Sequence, residues 1–96
     1  MKNGKKKIPP MPQISRFFGV IIYLYFDDHN PPHFHAVYGE FEAEININNL
    51  TIIEGNLPSR VLGLVIEWAS QYQEELKKDW NLVKQLKTPF PIKPLE

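Results

Sequence analysis

Two consecutive prolines, Pro31 and Pro32, divide the part of this sequence that is richest in strand-forming residues. Proline has no backbone N–H and a fixed φ angle, so it does not continue a central strand. The β-branched and aromatic run over residues 14–26 is therefore predicted to be a first strand that ends before this pair. Arg16, near its start, is the only charged residue in the run.

The two prolines lie within a stretch, DDHNPPHFH over residues 27–35, that concentrates reactive side chains. All three histidines of the chain fall within seven residues, next to two carboxylates. Histidine changes charge near neutral pH and is a common metal ligand. This stretch is therefore the candidate functional site.

Two strands are predicted after the histidine stretch, over residues 34–38 and 41–47. The turn Gly39-Glu40 between them fits a two-residue hairpin with glycine in the first central position. A short fourth strand is predicted over residues 50–54. These patterns favour an antiparallel sheet.

The hairpin turn also sets which side chains lie opposite each other. His35 is expected to face Glu44, and His33 to face Asn46, with the apolar residues of both strands on the other face. The sequence therefore predicts that His33 and His35 share a polar face and that the His35 side chain is open to solvent. Glu40, Glu42 and Glu44 are interpreted as a solvated strand face or as a surface for a basic partner.

Apolar residues recur at helical spacing from Leu57 to Leu86, after a predicted N-cap at Asn56. One straight helix of this length would extend about 45 Å, more than the width of a domain of this size. The sequence therefore predicts a break between Ser70 and Glu74. Trp68 and Trp80 are expected to be buried in the core.

Both ends of the chain differ from the middle in composition. Residues 1–11 are rich in lysine and proline and predict a disordered basic extension. Residues 12–96 are interpreted as one α+β domain, whose proline-rich segment from about residue 88 is extended. Its apolar residues, Phe90, Ile92 and Leu95, are expected to lie on the chain's own sheet or on a partner.

Composition excludes several classes of protein. The formal net charge is zero, so the molecule as a whole has no field that attracts nucleic acid. There is no cysteine for a disulfide or a thiolate metal site. No apolar run approaches the roughly 20 residues that span a bilayer. We expect a cytoplasmic protein with a two-layer fold, an antiparallel sheet of three to four strands followed by two C-terminal helices.

The sequence resembles a small bacterial family of domains of unknown function, DUF4160. The resemblance lies in ISRFFG at residues 14–19, DHNPPHFHA at 28–36, EWA at 67–69 and QEEL at 73–76. Members usually begin near the position of Met11. Their genes often neighbour a second small gene in an arrangement like a toxin–antitoxin pair, which implies a small protein partner and an RNA target. The sequence leaves self-association open.

Three interpretations of the histidine stretch compete. In the first, His29, His33, His35 and Asp28 bind a divalent transition metal such as zinc. In the second, His33 and His35 exchange protons as in a small ribonuclease, with Arg16 steadying a phosphate. In the third, the stretch is structural and shapes a non-catalytic interaction domain. The function we expect is that of a component of a two-gene toxin–antitoxin-like module that binds a partner protein, with action on RNA through the histidine site as a secondary expectation.

Overall fold

The computed structural model describes residues 11–96, which form a five-stranded antiparallel sheet followed by two helices. The strands lie side by side in chain order, so each is joined to its neighbour by a short connection. Their bounds are β1 (Gln13–Phe17), β2 (Val20–Tyr23), β3 (His33–Tyr38), β4 (Phe41–Asn46) and β5 (Ile52–Gly55). The α+β class is confirmed.

The prediction of three to four strands is wrong, because the run over residues 14–26 folds as a hairpin. Phe18 and Gly19 both have positive φ angles, 48° and 82°, and turn the chain back between β1 and β2. Two successive residues with positive φ are typical of a two-residue hairpin turn. The side chain of Phe18 remains exposed at this turn.

The predicted hairpin between β3 and β4 is confirmed residue by residue. His35 pairs with Glu44, and His33 pairs with Asn46. Gly39 has a φ angle of 58°, as the first central position of the predicted turn requires. This register places the side chains of His33 and His35 on the face of the sheet opposite to Phe34.

The helical region is broken where the sequence predicts it. Helix α1 (Ser59–Gln71) and helix α2 (Gln73–Lys84) meet at Tyr72, whose φ of −127° is not helical. The predicted cap at Asn56 is wrong: α1 begins at Ser59, after Pro58, and no side chain among residues 11–96 caps it.

The core lies between one face of the sheet and the two helices. Trp68 packs against Phe17 and Phe34, with ring centroids 5.4 and 5.8 Å apart. Both tryptophans are buried, as predicted. The other main contributors are Val20, Ile22, Leu24, Ala36, Ala43, Ile45, Ile47, Val65, Leu76 and Val83.

Residues 87–96 contain no helix or strand, yet they are tied to the core. Ile92 and Leu95 are buried, and the backbone N–H of Ile92 donates to Ile14 O at 2.7 Å. Trp68 Nε1 donates to the carbonyl of Lys93 at 2.9 Å. The apolar residues of this segment therefore pack on the chain's own fold, except Phe90, which is exposed.

The basic extension predicted over residues 1–11 falls, apart from Met11, outside the described residues. Among residues 11–96, neither helix is long and apolar enough to cross a membrane.

Candidate functional site

The candidate site forms where the connection between β2 and β3 returns across the sheet. His33 and His35 project from β3, and Asp28 comes from the connection itself. Helix α2 fixes this connection, because Lys84 Nζ donates to Asp28 O at 2.6 Å and the N–H of Asp27 donates to Val83 O at 3.0 Å. The Asp28 carboxylate is thereby held against the two histidine rings.

Both histidines are buried, so the prediction of a solvent-exposed His35 is wrong. His33 is 1% exposed and His35 is 4% exposed. The edge of His35 packs with the ring of Tyr25, and His33 packs with Trp80, at centroid distances of 4.3 and 5.3 Å. Strand alternation identifies the face on which a side chain lies, whereas covering of that face by a distant helix and a loop depends on tertiary packing.

One carboxylate oxygen lies close to both histidines. Asp28 Oδ2 is 3.0 Å from His33 Nε2 and 3.3 Å from His35 Nε2. The ligand atoms of the three residues all lie within 4.8 Å of one another. Zinc bonds of about 2.0–2.2 Å in tetrahedral geometry separate adjacent ligand atoms by about 3.3 Å. The separations of Asp28 Oδ2 from the two nitrogens therefore match those of ligands around one ion.

The second nitrogen of each ring is held by an acceptor. His33 Nδ1 lies 2.7 Å from the carbonyl oxygen of Pro31, and His35 Nδ1 lies 3.3 Å from Glu42 Oε2. A carbonyl or carboxylate only accepts hydrogen bonds, so these contacts favour the tautomer with the proton on Nδ1. In a neutral imidazole Nε2 then has a free lone pair. A backbone carbonyl or carboxylate on the outer nitrogen is typical of metal-ligating histidines.

The groups around Nε2 of both rings are also acceptors. His33 Nε2 lies 3.7 Å from Glu44 Oε1 besides Asp28, and within the described part of the chain it makes no hydrogen bond of good geometry despite its burial. A proton on Nε2 or a cation among the lone pairs would place a positive charge between these acceptors. Two charged rings with centroids 5.1 Å apart repel each other, whereas one divalent ion replaces both protons.

The charge state of Asp28 follows from its neighbours. When Nε2 of the rings carries a proton rather than an ion, burial acts to raise the pKa of this carboxyl, but hydrogen bonds from His35 and from the backbone N–H of His29, together with the positive charge of His33, outweigh it. The pKa of Asp28 therefore lies below its ordinary value. An ionised carboxylate is the form that binds a metal ion.

Two of the predicted site residues are not part of the cluster. His29 is exposed and lies against the other oxygen of Asp28, with Nδ1 3.1 Å from Oδ1. Arg16 pairs with Ile21 on β2, so a whole strand, roughly 10 Å between backbones, separates it from β3. Of the predicted residues, the structure therefore brings together Asp28, His33 and His35.

An open cleft of about 180 Å³ adjoins the histidines, lined by Glu42, Glu44, Glu54 and Gly55. Glu42 holds His35, a role that the sequence analysis missed because it considered only directly opposed residues. Val37, two residues along β3 from His35, faces Glu42, which makes Glu42 and His35 diagonal neighbours. Diagonal neighbours lie within reach of long side chains, and this rule would have identified Glu42.

The fold and the site together define a small α+β domain with a buried cluster of two histidines and one carboxylate. Residues 19–81 match the model of a family described as Domain of unknown function (DUF4160). The match covers more than half of the chain, which therefore belongs to this family, as its resemblance predicted. Comparisons with curated proteins and with solved structures gave no match.

Proposed function

We propose that this domain binds one divalent transition-metal ion through Asp28 Oδ2, His33 Nε2 and His35 Nε2. The observation that carries the proposal is that both Nδ1 atoms face acceptors while both Nε2 atoms converge on one carboxylate oxygen. Two imidazoles and a carboxylate suit zinc, iron, nickel and copper better than magnesium or calcium. Three protein ligands leave coordination positions open for water or a further ligand.

Metal-free acid–base chemistry on RNA has weaker support. Glu42 and Glu44 lie beside the histidines, and carboxylates repel a phosphodiester. Arg16, the cation expected to steady a phosphate, lies two strands from His35 and forms no ion pair within the described residues. An ion-binding function agrees better with these charges.

Zinc titration of the purified chain against a chromophoric chelator tests the proposal. We expect one ion per chain, and a large loss of affinity in Asp28→Asn and His35→Gln, which each remove a ligand. Glu42→Gln should weaken binding by about 10- to 100-fold, since it removes only the carboxylate that orients His35. Circular dichroism of each variant checks that the fold is retained.

The matched control is His29→Gln, which changes the exposed histidine of the same connection. Its zinc affinity should equal that of the unchanged chain. The proposal fails if the unchanged chain takes up no zinc, or if His29→Gln loses as much affinity as His35→Gln.

We also propose binding of a small protein encoded by a neighbouring gene, which the family resemblance implies. The observation that favours it is Phe90, which is 70% exposed beside a cleft of about 60 Å³ that includes Lys78 and Ile92. Aromatic residues, including phenylalanine, are enriched in protein–protein interfaces relative to the rest of the surface. Co-purification of the two gene products tests this, and Phe90→Ser should reduce the yield of the complex.

A further inference from the structure

We infer that the cleft between helix α2 and the C-terminal segment binds a lysine side chain of the small partner protein. This rests on the proposed partner binding through Phe90 and names the chemistry of the side chain that enters the same cleft. The cleft has a volume of about 60 Å³ and is lined by Glu75, Lys78, Asp79, Phe90, Pro91 and Ile92.

A buried carboxylate oxygen on the wall of this cleft lacks a hydrogen bond. Asp79 is 1% exposed, and its Oδ1 accepts a hydrogen bond from the backbone N–H of Phe90 at 2.9 Å. Oδ2 has no partner among residues 11–96. A buried acceptor without a partner costs free energy, which a donor from outside the chain would recover. Because Oδ1 is already engaged, Oδ2 is the oxygen left for a molecule in the cleft, and that molecule needs a hydrogen-bond donor.

The charges around the cleft favour a donor that is also a cation. Glu75 and Asp79 carry two negative charges when ionised, and Lys78 carries one positive charge. In the described part of the chain, the ion pairs of α2 lysines are made with Glu74 and Asp27, so neither carboxylate of the cleft has a lysine partner. A positive group in the cleft would supply the missing counter-charge to Asp79 and Glu75.

The remaining walls of the cleft suit an aliphatic stem. Phe90, Pro91 and Ile92 make the lining mostly apolar, and the ring of Phe90 is 70% exposed. A lysine side chain packs its methylene groups along apolar surface and keeps its charge at the tip. The cleft is far smaller than the roughly 300–1,000 Å³ of sites for drug-sized ligands, so it admits one side chain. A compact ammonium group fits such a space better than the planar fork of a guanidinium.

The test compares two probes by NMR titration of the full chain. N-acetyl-lysine methylamide carries the stem and the ammonium group, whereas N-acetyl-norleucine methylamide carries the same four-carbon stem without the charge. The lysine probe should shift the amide resonances of Phe90 and Ile92 and of α2 near Glu75, and the shifts should weaken as salt is added. The norleucine probe should bind about tenfold more weakly, since it offers no donor to Asp79.

The decisive variant is Asp79→Asn, which keeps an acceptor for the Phe90 N–H and removes the charge. It should weaken binding of the lysine probe about tenfold and leave the norleucine probe unaffected. Glu75→Gln should weaken the lysine probe about two- to threefold, because this second charge is lost. Glu74→Gln is the matched control, because Glu74 lies on the same helix, is 81% exposed and does not line the cleft. Unchanged lysine binding in Asp79→Asn, or equal binding of the two probes, overturns the inference.

Co-purification with the neighbouring gene product separates this inference from the proposed function. Asp79→Asn should reduce the yield of the complex, and Glu74→Gln should not. A complex that Asp79→Asn leaves intact overturns the inference but not the partner binding, whereas the absence of any complex contradicts the proposed function. The chain's own Lys5, Lys6 and Lys7 are a competing source of an ammonium group. Lysine-probe binding that appears only after all three are replaced by serine would assign the cleft to the chain itself and overturn the inference.

Discussion

Asp79 is a carboxyl group buried between helix α2 and the C-terminal segment. It is 1% exposed; Oδ1 accepts a hydrogen bond from the backbone N–H of Phe90 at 2.9 Å, while Oδ2 has no partner within the described residues. Burial raises the pKa of Asp79; the hydrogen bond from Phe90 acts in the opposite direction, and the charge of Glu75 adds to the rise. Asp79 therefore gives up its proton at a higher pH in the folded state than in the unfolded chain.

The raised pKa of Asp79 determines how the free energy of unfolding changes with pH. A carboxyl whose folded pKa exceeds its unfolded pKa stabilises the fold fully below the unfolded value, and the contribution is lost as pH rises through the folded value. Asp79→Asn keeps an oxygen acceptor for Phe90 without the ionisation. We expect the variant to be more stable than the unchanged chain at pH 7 and to lose this advantage toward pH 3, measured by urea unfolding.

The control for the hydrogen bond is Asp79→Leu, which removes the acceptor for the Phe90 N–H. It should destabilise the fold by about 1–3 kcal/mol at both pH values, as expected when a buried donor loses its partner. An Asp79→Asn variant with the same pH dependence as the unchanged chain would show that Asp79 titrates normally.

At the scale of single residues, the sequence identified the ligand candidates but not their surroundings. The density of histidines and carboxylates over residues 27–35 predicted Asp28, His33 and His35 as candidates. Burial of His33 depends on Trp80, 47 positions further along the chain, and no local pattern connects the two. Lys84, which holds the Asp28 backbone from α2, was missed for the same reason.

At the scale of elements, strand β5 is held close to β4 by a glycine. Gly55 has a φ angle of 81°, and a Cβ atom built there would overlap the carbonyl oxygen of Glu42. Gly63 in helix α1 is the opposite case, because among residues 11–96 a Cβ atom there would meet nothing within 4 Å outside the backbone of its own helix. The two glycines are therefore suited to a comparison in which each is replaced by alanine.

Replacement of each glycine by alanine should change stability in opposite directions. Gly55→Ala should destabilise the fold by about 1–3 kcal/mol or more, because the backbone is strained and β4 must move. Gly63→Ala should stabilise it by about 0.5–1 kcal/mol, since alanine loses less backbone entropy in a helix. Chemical unfolding of both variants measures the difference; a stable Gly55→Ala would contradict the close approach of β5 to β4.

The elements were predictable where a local signal exists. The β3–β4 register follows from one glycine turn and strict alternation, and the helix break follows from chain length. The β1–β2 turn was missed because phenylalanine is typical of strands, whereas Phe18 has a positive φ angle in the structure. Gly19 alone did not predict the turn, because a two-residue turn of this type requires positive φ at both residues.

At the scale of the whole molecule, the last ten residues join elements that are distant in sequence. The backbone N–H of Ile92 donates a hydrogen bond to Ile14 of β1, and the carbonyl of Lys93 accepts one from Trp68 of α1. The backbone N–H of Phe90 donates a hydrogen bond to Asp79 of α2. Ile92 and Leu95 are buried at this junction. The segment therefore closes one side of the core, although three prolines exclude it from regular structure.

The last prediction separates the structural part of this segment from its exposed part. Ile92→Ala should destabilise the fold by about 2–5 kcal/mol, because it removes buried methyl groups and leaves a cavity between β1 and the helices. Phe90→Ser should leave the free energy of unfolding nearly unchanged, since its ring is 70% exposed. Deletion of residues 88–96 should lower the melting temperature at least as much as Ile92→Ala, because it also removes the hydrogen bond to Trp68. Thermal unfolding of the three variants gives the order of their melting temperatures directly. A deletion variant with an unchanged melting temperature would show that the segment does not contribute to the core.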